Sequence, residues 1–197
     1  MPVVSQLHNV QRYINADPAY DNVADVGFYL LNQQDTHSYI GFLADTTAAY
    51  VLENDLEHPE ARGLRTDDSL LREGVTWGIS NTVAAVNSFL LPGTTDEFSG
   101  DLANEKRFDS YKALLESKLA SENVLDMQDM QDIIAFTGTD GIAKNSGAIY
   151  RATNDYPTYQ SYTLDMGSLE LVANFGPTEG NPPYPTYTRV FASNPFL

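Results

Sequence analysis

The side chain that stands out as a candidate for chemistry is the amide of Asn87. It follows an apolar run at residues 83–86 and precedes Phe89 and a Pro92-Gly93 turn. Such a run, bounded by turn residues, predicts a strand buried on both faces, here within residues 82–91. An amide at the end of a buried strand must be paired or face a cavity, because an unpaired buried polar group costs about 1–3 kcal/mol. Asn87 is therefore our first candidate for a functional hydrogen-bond donor.

Residue types that carry other common chemistries are absent or wrongly spaced. The chain has no cysteine, which excludes disulfides, thiolate metal sites and a cysteine nucleophile within it. His8, His37 and His58 lack the spacing of metal ligands. The sequence also contains no Gly-rich phosphate loop and no Gly-x-Ser-x-Gly motif. We therefore predict neither a cofactor nor a metal.

The charge of the chain limits its partners. Its 197 residues include 27 acidic and 11 basic side chains, which give a formal net charge of −16. Nucleic acids and anionic membrane surfaces require a positive footprint, so we expect neither as a partner. The apolar runs are also shorter than the roughly 20 residues that a membrane span needs. The length fits one domain over residues 1–197, and the composition leaves the compartment open.

The first half of the chain is predicted to form a helical hairpin followed by a β-hairpin. Apolar residues at helical spacing predict helices over residues 5–16 and 21–32. Residues 38–44 and 48–54 are rich in Tyr, Ile, Phe and Val and predict two paired strands. The charged segment 57–69 is predicted to be a loop with a short strand.

The second half is predicted to contain two more helices. The clearest spans residues 104–121, and Asp126 starts another that ends near Gly138. Met127 and Met130 face inward in this helix and are predicted to fill the core. Acidic residues also recur at every third position, at Asp126, Asp129 and Asp132. We expect these three side chains to lie on a solvent-exposed face of the helix.

The tail is predicted to be β-structure. Strands are expected at residues 147–152, 158–164 and 168–175, followed by an extended Pro-rich tail at residues 177–197. Strands and helices thus occur in blocks and do not alternate. Blocks favour a layered antiparallel α+β domain with helical hairpins over a doubly wound parallel sheet.

Several short motifs, taken in order, resemble a known enzyme family. The run HSYIGFLADTTAAYVLEND at residues 37–55 is followed by VAAVNSF at residues 83–89 and by Lys106-Arg107-Phe108 at the start of a helix. This order is similar to that of the N-terminal nucleophile (Ntn) hydrolases of the choloylglycine hydrolase and acyl-CoA:6-aminopenicillanate acyltransferase type. The resemblance covers most of the chain, and it depends on the order and spacing of motifs that are individually permissive.

The resemblance implies a fold and a reaction. The fold would be a layered αββα sandwich, and the reaction would be hydrolysis or acyl transfer at a linear amide C–N bond of a small-molecule substrate. In such enzymes the first residue after processing, usually Cys, is the nucleophile, and its own amino group is the base. Asn87 would then donate to the oxyanion, and Arg107 would help to order the site. The alternatives are that Asn87 is a satisfied amide bracing a strand end and that Arg107 is an ordinary surface residue.

The chain also departs from the family pattern, because it has no Cys and only predicted helices precede the β-hairpin. The sequence is then expected to be the C-terminal portion of a longer gene product, one of two polypeptides, or a shortened inactive relative. In the first and third cases the chain alone should not hydrolyse amides. Missing strands would leave a sheet face rich in Tyr, Phe, Leu and Val unusually exposed, which makes a homo-oligomer possible. The alternative functions are a non-catalytic binding module on the same fold and an unrelated α+β domain.

Overall fold

Two separate three-stranded antiparallel sheets organise the computed structural model of the chain. The chain divides into two compact units, Met1–Asp96 and Glu97–Leu197, and each contains one of these sheets. With the helices of the second unit they make a mixed α+β fold, as predicted. The structure describes residues 38–44, 47–94, 102–138, 147–151, 158, 160–175 and 187–191. The helical hairpin predicted at residues 5–32 lies outside the described residues.

The first sheet has the order β1-β2-β3, with β1 at Tyr39–Ala44, β2 at Ala49–Asn54 and β3 at Gly63–Arg65. The predicted β-hairpin and the short strand after it are therefore confirmed. In β2, which lies between the other two strands, residues 51–54 are all buried. The apolar core of this unit contains Val51, Leu52, Ala61, Leu71, Trp77, Ile79, Ala84, Val86 and Leu90.

The strand predicted within residues 82–91 is wrong. This segment is irregular, and its one β-type contact is an isolated bridge between Val86 and Ser88. Asn87 lies between them, and it is exposed, not buried. Burial of the apolar side chains did not require a strand here, because Glu53 and Arg65 of the first sheet, together with Arg72, supply hydrogen bonds to the backbone of the segment. A short apolar run by itself does not distinguish these two outcomes.

The second unit begins with two helices that match the predictions. The first helix, α1, spans Leu102–Ser121, and the second, α2, spans Met127–Ile134. Asp126 starts α2 through a reciprocal capping box with Asp129. Each carboxylate accepts a hydrogen bond from the backbone N–H of the other residue, at 3.0 Å in both cases.

Lys118 of α1 ties the end of that helix to the start of α2. Its Nζ lies 2.6 Å from Asp129 Oδ1 and 3.0 Å from Asp132 Oδ2. The predicted solvated acidic face is therefore wrong for Asp129, which is only 6% exposed because it serves both the cap and the ion pair. The hydrogen bond from Lys118 is the largest cause that lowers the pKa of Asp129 to about 2, and the pKa of Lys118 is raised in turn.

The second sheet has the order β4-β5-β6. Strand β4 spans Gln160–Asp165, β5 spans Glu170–Phe175 and β6 spans Thr188–Phe191. Two of the predicted tail strands are confirmed, and part of the tail predicted to be extended forms β6. In the turn between β4 and β5, Asp165 Oδ1 accepts a hydrogen bond of 2.8 Å from Gly167 N.

The strand predicted at residues 147–152 is wrong over its described part, residues 147–151. The backbone N–H groups of Ile149 and Tyr150 both donate to the carbonyl of Phe136, at 2.9 Å each, and so are not available to a sheet. Gly147 has a φ of +75°, and a Cβ at this position would collide with α1. Residues 147–151 therefore pack closely against α1 and do not pair with a strand.

One face of the second sheet exposes large apolar side chains. Tyr162 and Phe175 are 62% and 71% exposed, and Leu164 is exposed beside them. They share a face because Tyr162 and Leu164 are two residues apart on β4 and Phe175 pairs with Gln160 of the same strand. The residue types of this face match those of the exposed face expected from the sequence, while the expected cause, missing strands, stays a prediction.

The Lys118–Asp129 pair predicts how stability depends on pH. The pKa of Asp129 is about 2 in the folded chain, against an ordinary value of 3.8, so its contribution is present above pH 4 and is lost as the pH falls towards 2. We expect urea unfolding of the second unit to show a steeper loss of stability between pH 4 and pH 2 than the Asp129→Asn variant shows. Asp109→Asn, on the exposed side of α1, is the control and should keep the wild-type slope. Equal slopes for Asp129→Asn and the wild type would contradict this prediction.

Candidate functional site

A buried ion pair in the first unit holds the segment that carries Asn87. Arg65 Nε lies 2.8 Å from Glu53 Oε1, and the two side chains are 1% and 0% exposed. They meet because Arg65 pairs with Val51 in the register of β2 and β3, which places Glu53, two residues further along β2, on the same face. Long side chains at such diagonal positions are within reach of each other.

The same two side chains bond to both ends of the segment from Ala84 to Leu91. Arg65 Nη2 donates to the carbonyl of Ala84 at 2.6 Å. Glu53 Oε2 accepts from the backbone N–H groups of Leu90 and Leu91, at 2.8 and 2.9 Å. One ion pair thus fixes the backbone before and after Asn87.

The segment between these anchors is a tight turn that presents Asn87 to solvent. Val86 and Ser88, which form the isolated bridge, are both buried, at 5% exposure. Their burial fixes the direction of the intervening side chain, which points outward. Asn87 is therefore a solvent-exposed residue of a fixed turn, and it does not end a buried strand as predicted.

Arg107, the second predicted site residue, lies in the first turns of α1 and is half-buried. The charge of Arg107 acts on the hydroxyl of Tyr111, which lies one helical turn further along α1. Burial raises the pKa of the Tyr111 hydroxyl, while the charge of Arg107 lowers it and Tyr187 raises it. Arg107 belongs to the second unit, whereas Asn87 belongs to the first.

Sequence reasoning missed the Glu53–Arg65 pair. The available clue was a glutamate inside β2, where the neighbouring residues Val51 and Leu52 are apolar. A charge at such a position is rarely buried unless it is paired. The partner, twelve residues away on β3, could not be chosen from sequence, because Arg62 lies close to the same strand and is equally basic.

Comparisons of the chain with family models, with curated proteins and with solved structures gave no match. The resemblance to Ntn hydrolases therefore stays a prediction. Within the described ranges, no set of three or more His, Cys, Asp or Glu side chains is arranged to hold a metal ion. Neither of the two described helices has the length and apolar character of a bilayer span.

The buried pair predicts a large effect of a small substitution. Glu53→Gln leaves Arg65 charged and buried without its carboxylate, which costs about 3–5 kcal/mol of unfolding free energy. The single tryptophan, Trp77, is buried in the same unit, so its fluorescence during urea unfolding measures this loss. If Glu53→Gln lacks the native fluorescence even without urea, the variant is unfolded in water, and the loss of stability is larger still.

The matched control for this substitution is Glu57→Gln, which makes the same chemical change on an exposed side chain of the same unit. It should alter stability by no more than about 0.5 kcal/mol. A loss of less than about 1 kcal/mol for Glu53→Gln would show that the pair does not hold the segment from Ala84 to Leu91.

Proposed function

We propose that this chain is part of a hydrolase or acyltransferase that acts on linear amide C–N bonds by the N-terminal nucleophile mechanism. The observation that carries the proposal is the held turn at Asn87, which lies within the VAAVNSF motif. Catalysis of acyl transfer depends on donors that are fixed before the reaction and aimed at the oxygen where negative charge develops. The buried ion pair anchors the backbone on both sides of Asn87, which supports this role for its side-chain amide.

Asn87 has the role of oxyanion donor in this proposal. When a nucleophile attacks an amide carbonyl, the oxygen becomes negatively charged, and the N–H of the Asn87 amide would donate to it. One such donor contributes about 2.7–4 kcal/mol of transition-state stabilisation. The nucleophile is not a cysteine of this chain, since the chain has none. Arg107 would order the site as a cation, and Tyr111, whose pKa its charge lowers, is a neighbour that shares that environment.

The fold that accompanies this function is a layered αββα sandwich. The α+β content of the chain, two antiparallel sheets and the helices α1 and α2, supports this choice of fold class. Small-molecule amides are the proposed substrates.

The second candidate function is a non-catalytic binding module on the same fold. The observation that favours it is the exposed face of the second sheet around Tyr162 and Phe175. Exposed apolar patches of this kind are typical of interaction surfaces.

The test uses the protein isolated from the cells that make it, with any segment that precedes or accompanies residues 1–197. Hydrolysis of small N-acyl amides and penicillin-type substrates is measured for the native protein and for Asn87→Ala. We expect kcat to fall by about 10²–10³ with a small change in KM, because the lost contact forms only in the transition state. Asn123→Ala, at an exposed position between α1 and α2, is the control and should keep the native kcat.

Two outcomes would contradict the proposal. The first is a native kcat in Asn87→Ala, which would remove the amide from the mechanism. The second is turnover by residues 1–197 alone, because a chain without a cysteine should not supply the nucleophile. An isolated native protein that hydrolyses none of these amides would favour the binding module instead.

A further inference from the structure

A groove in the second unit has features of a binding site that shares no residue with the proposed catalytic function. It runs between the start of α2 and the sheet β4-β5-β6, and its volume is about 950 Å³. Pockets of roughly 300–1,000 Å³ are typical of ligand sites. Neither Asn87 nor Arg107 lines it, so the two proposals can be tested separately.

Methionine side chains form much of the groove wall. The chain has four methionines, and Met127, Met130 and Met166 all line this groove. Met127 and Met130 were predicted to fill the core, but they are half-buried and line the groove. Unbranched thioether side chains are flexible and polarisable, and they adapt to apolar side chains of different shapes. The groove is therefore suited to an apolar partner surface that varies in detail.

The charged groups of the groove are mostly acidic. Asp126, Asp165 and Glu170 line it, and Arg189 is the one cation among the lining residues. The Nε of Arg189 is already paired with Glu170 Oε1 at 2.6 Å. Hydrogen bonds from Ser168 and from backbone N–H groups lower the pKa of Asp165, so this carboxylate is ionised at neutral pH. The lining thus has a net negative charge and complements a cationic ligand.

One hydroxyl group in the groove lining supports a ligand independently of charge. Thr163 is 8% exposed, and its Oγ1 is buried with no hydrogen-bond partner in the described part of the chain. Buried hydroxyls are usually paired in native proteins. A polar group of a ligand that reaches this hydroxyl would satisfy it.

We propose that the groove binds a basic amphipathic segment of a partner protein. Its Lys or Arg side chains pair with the groove carboxylates, and its apolar side chains pack on the three methionines. A second copy of this chain is disfavoured as the occupant, because each copy has a net charge of −16 and the copies repel each other. An anionic membrane or a nucleic acid has the wrong sign of charge for this lining.

The test is a fluorescence anisotropy titration with a labelled 14-residue peptide that has Leu and Lys at helical spacing. Gln131→Lys adds a positive charge inside the groove, and Gln160→Lys adds the same charge at an exposed position that does not line it. Both variants have the same net charge, so only the position differs. We expect Kd to rise at least fivefold for Gln131→Lys and to stay within twofold of wild type for Gln160→Lys.

A second pair of variants tests the apolar contact. Met127→Gln removes a thioether from the groove wall, while Val124→Gln makes a similar change on a side chain that is exposed and outside the lining. We expect the first to raise Kd at least threefold and the second to leave it unchanged. Circular dichroism of each variant confirms that it is folded before the titration.

Three results would overturn the proposal. Equal weakening by Gln131→Lys and Gln160→Lys would mean that the peptide is attracted by the overall negative charge. Equal affinity for a peptide in which Ser replaces every Leu would mean that the methionines do not contribute. Sedimentation that shows a dimer dissociated by the peptide, with Gln131→Lys preventing the dimer, would assign the groove to a second copy.

Discussion

The first unit depends on one buried ion pair, Glu53 with Arg65. Removing two charges from water is costly, and the cost is offset only where good geometry and further hydrogen bonds satisfy both groups. Here the carboxylate accepts three hydrogen bonds, one of them from Arg65 Nε, and Arg65 Nη2 donates to a backbone carbonyl. Arg65 Nη1 is buried without a hydrogen-bond partner among the described residues, so the guanidinium is only partly satisfied. The segment from Ala84 to Leu91 has no sheet to join, so these bonds give its backbone the partners that a neighbouring strand would otherwise supply. The exposed turn at Asn87 exists because of this arrangement.

The second unit uses its charges differently. Lys118 and its two aspartates lie closer to solvent, and they connect the end of one helix to the start of the next. A capping box at the same helix start satisfies backbone N–H groups that a helix cannot pair internally. A capping box and an ion pair between consecutive helices therefore define this corner, whereas the Glu53–Arg65 pair connects two strands to a loop further along the chain. The groove beside α2 begins at this corner.

Basic side chains are scarce in this chain, and three of the described ones are paired with carboxylates. Arg65, Lys118 and Arg189 each form an ion pair. Most of the acidic side chains in the described part of the chain are exposed or half-buried. A protein with this distribution attracts cations over much of its surface, so selectivity for one partner must come from the shape and the apolar character of a particular site. In the groove, the three methionines contribute to both the shape and the apolar character of the site.

The sequence by itself determined the elements whose cause is local. Periodicity and capping residues located α1 and α2, β-branched and aromatic runs located the first hairpin, and Asp165 with Gly167 located a turn. Tertiary structure decided the rest. Residues 82–91 have strand-like composition, but their backbone bonds to Glu53 and Arg65, which lie far away in sequence. Residues 147–151 pack against a helix, and Asp129 is buried by Lys118. In each of these cases the contact that decides the outcome comes from a residue outside the local segment, so no local pattern in the sequence predicts it.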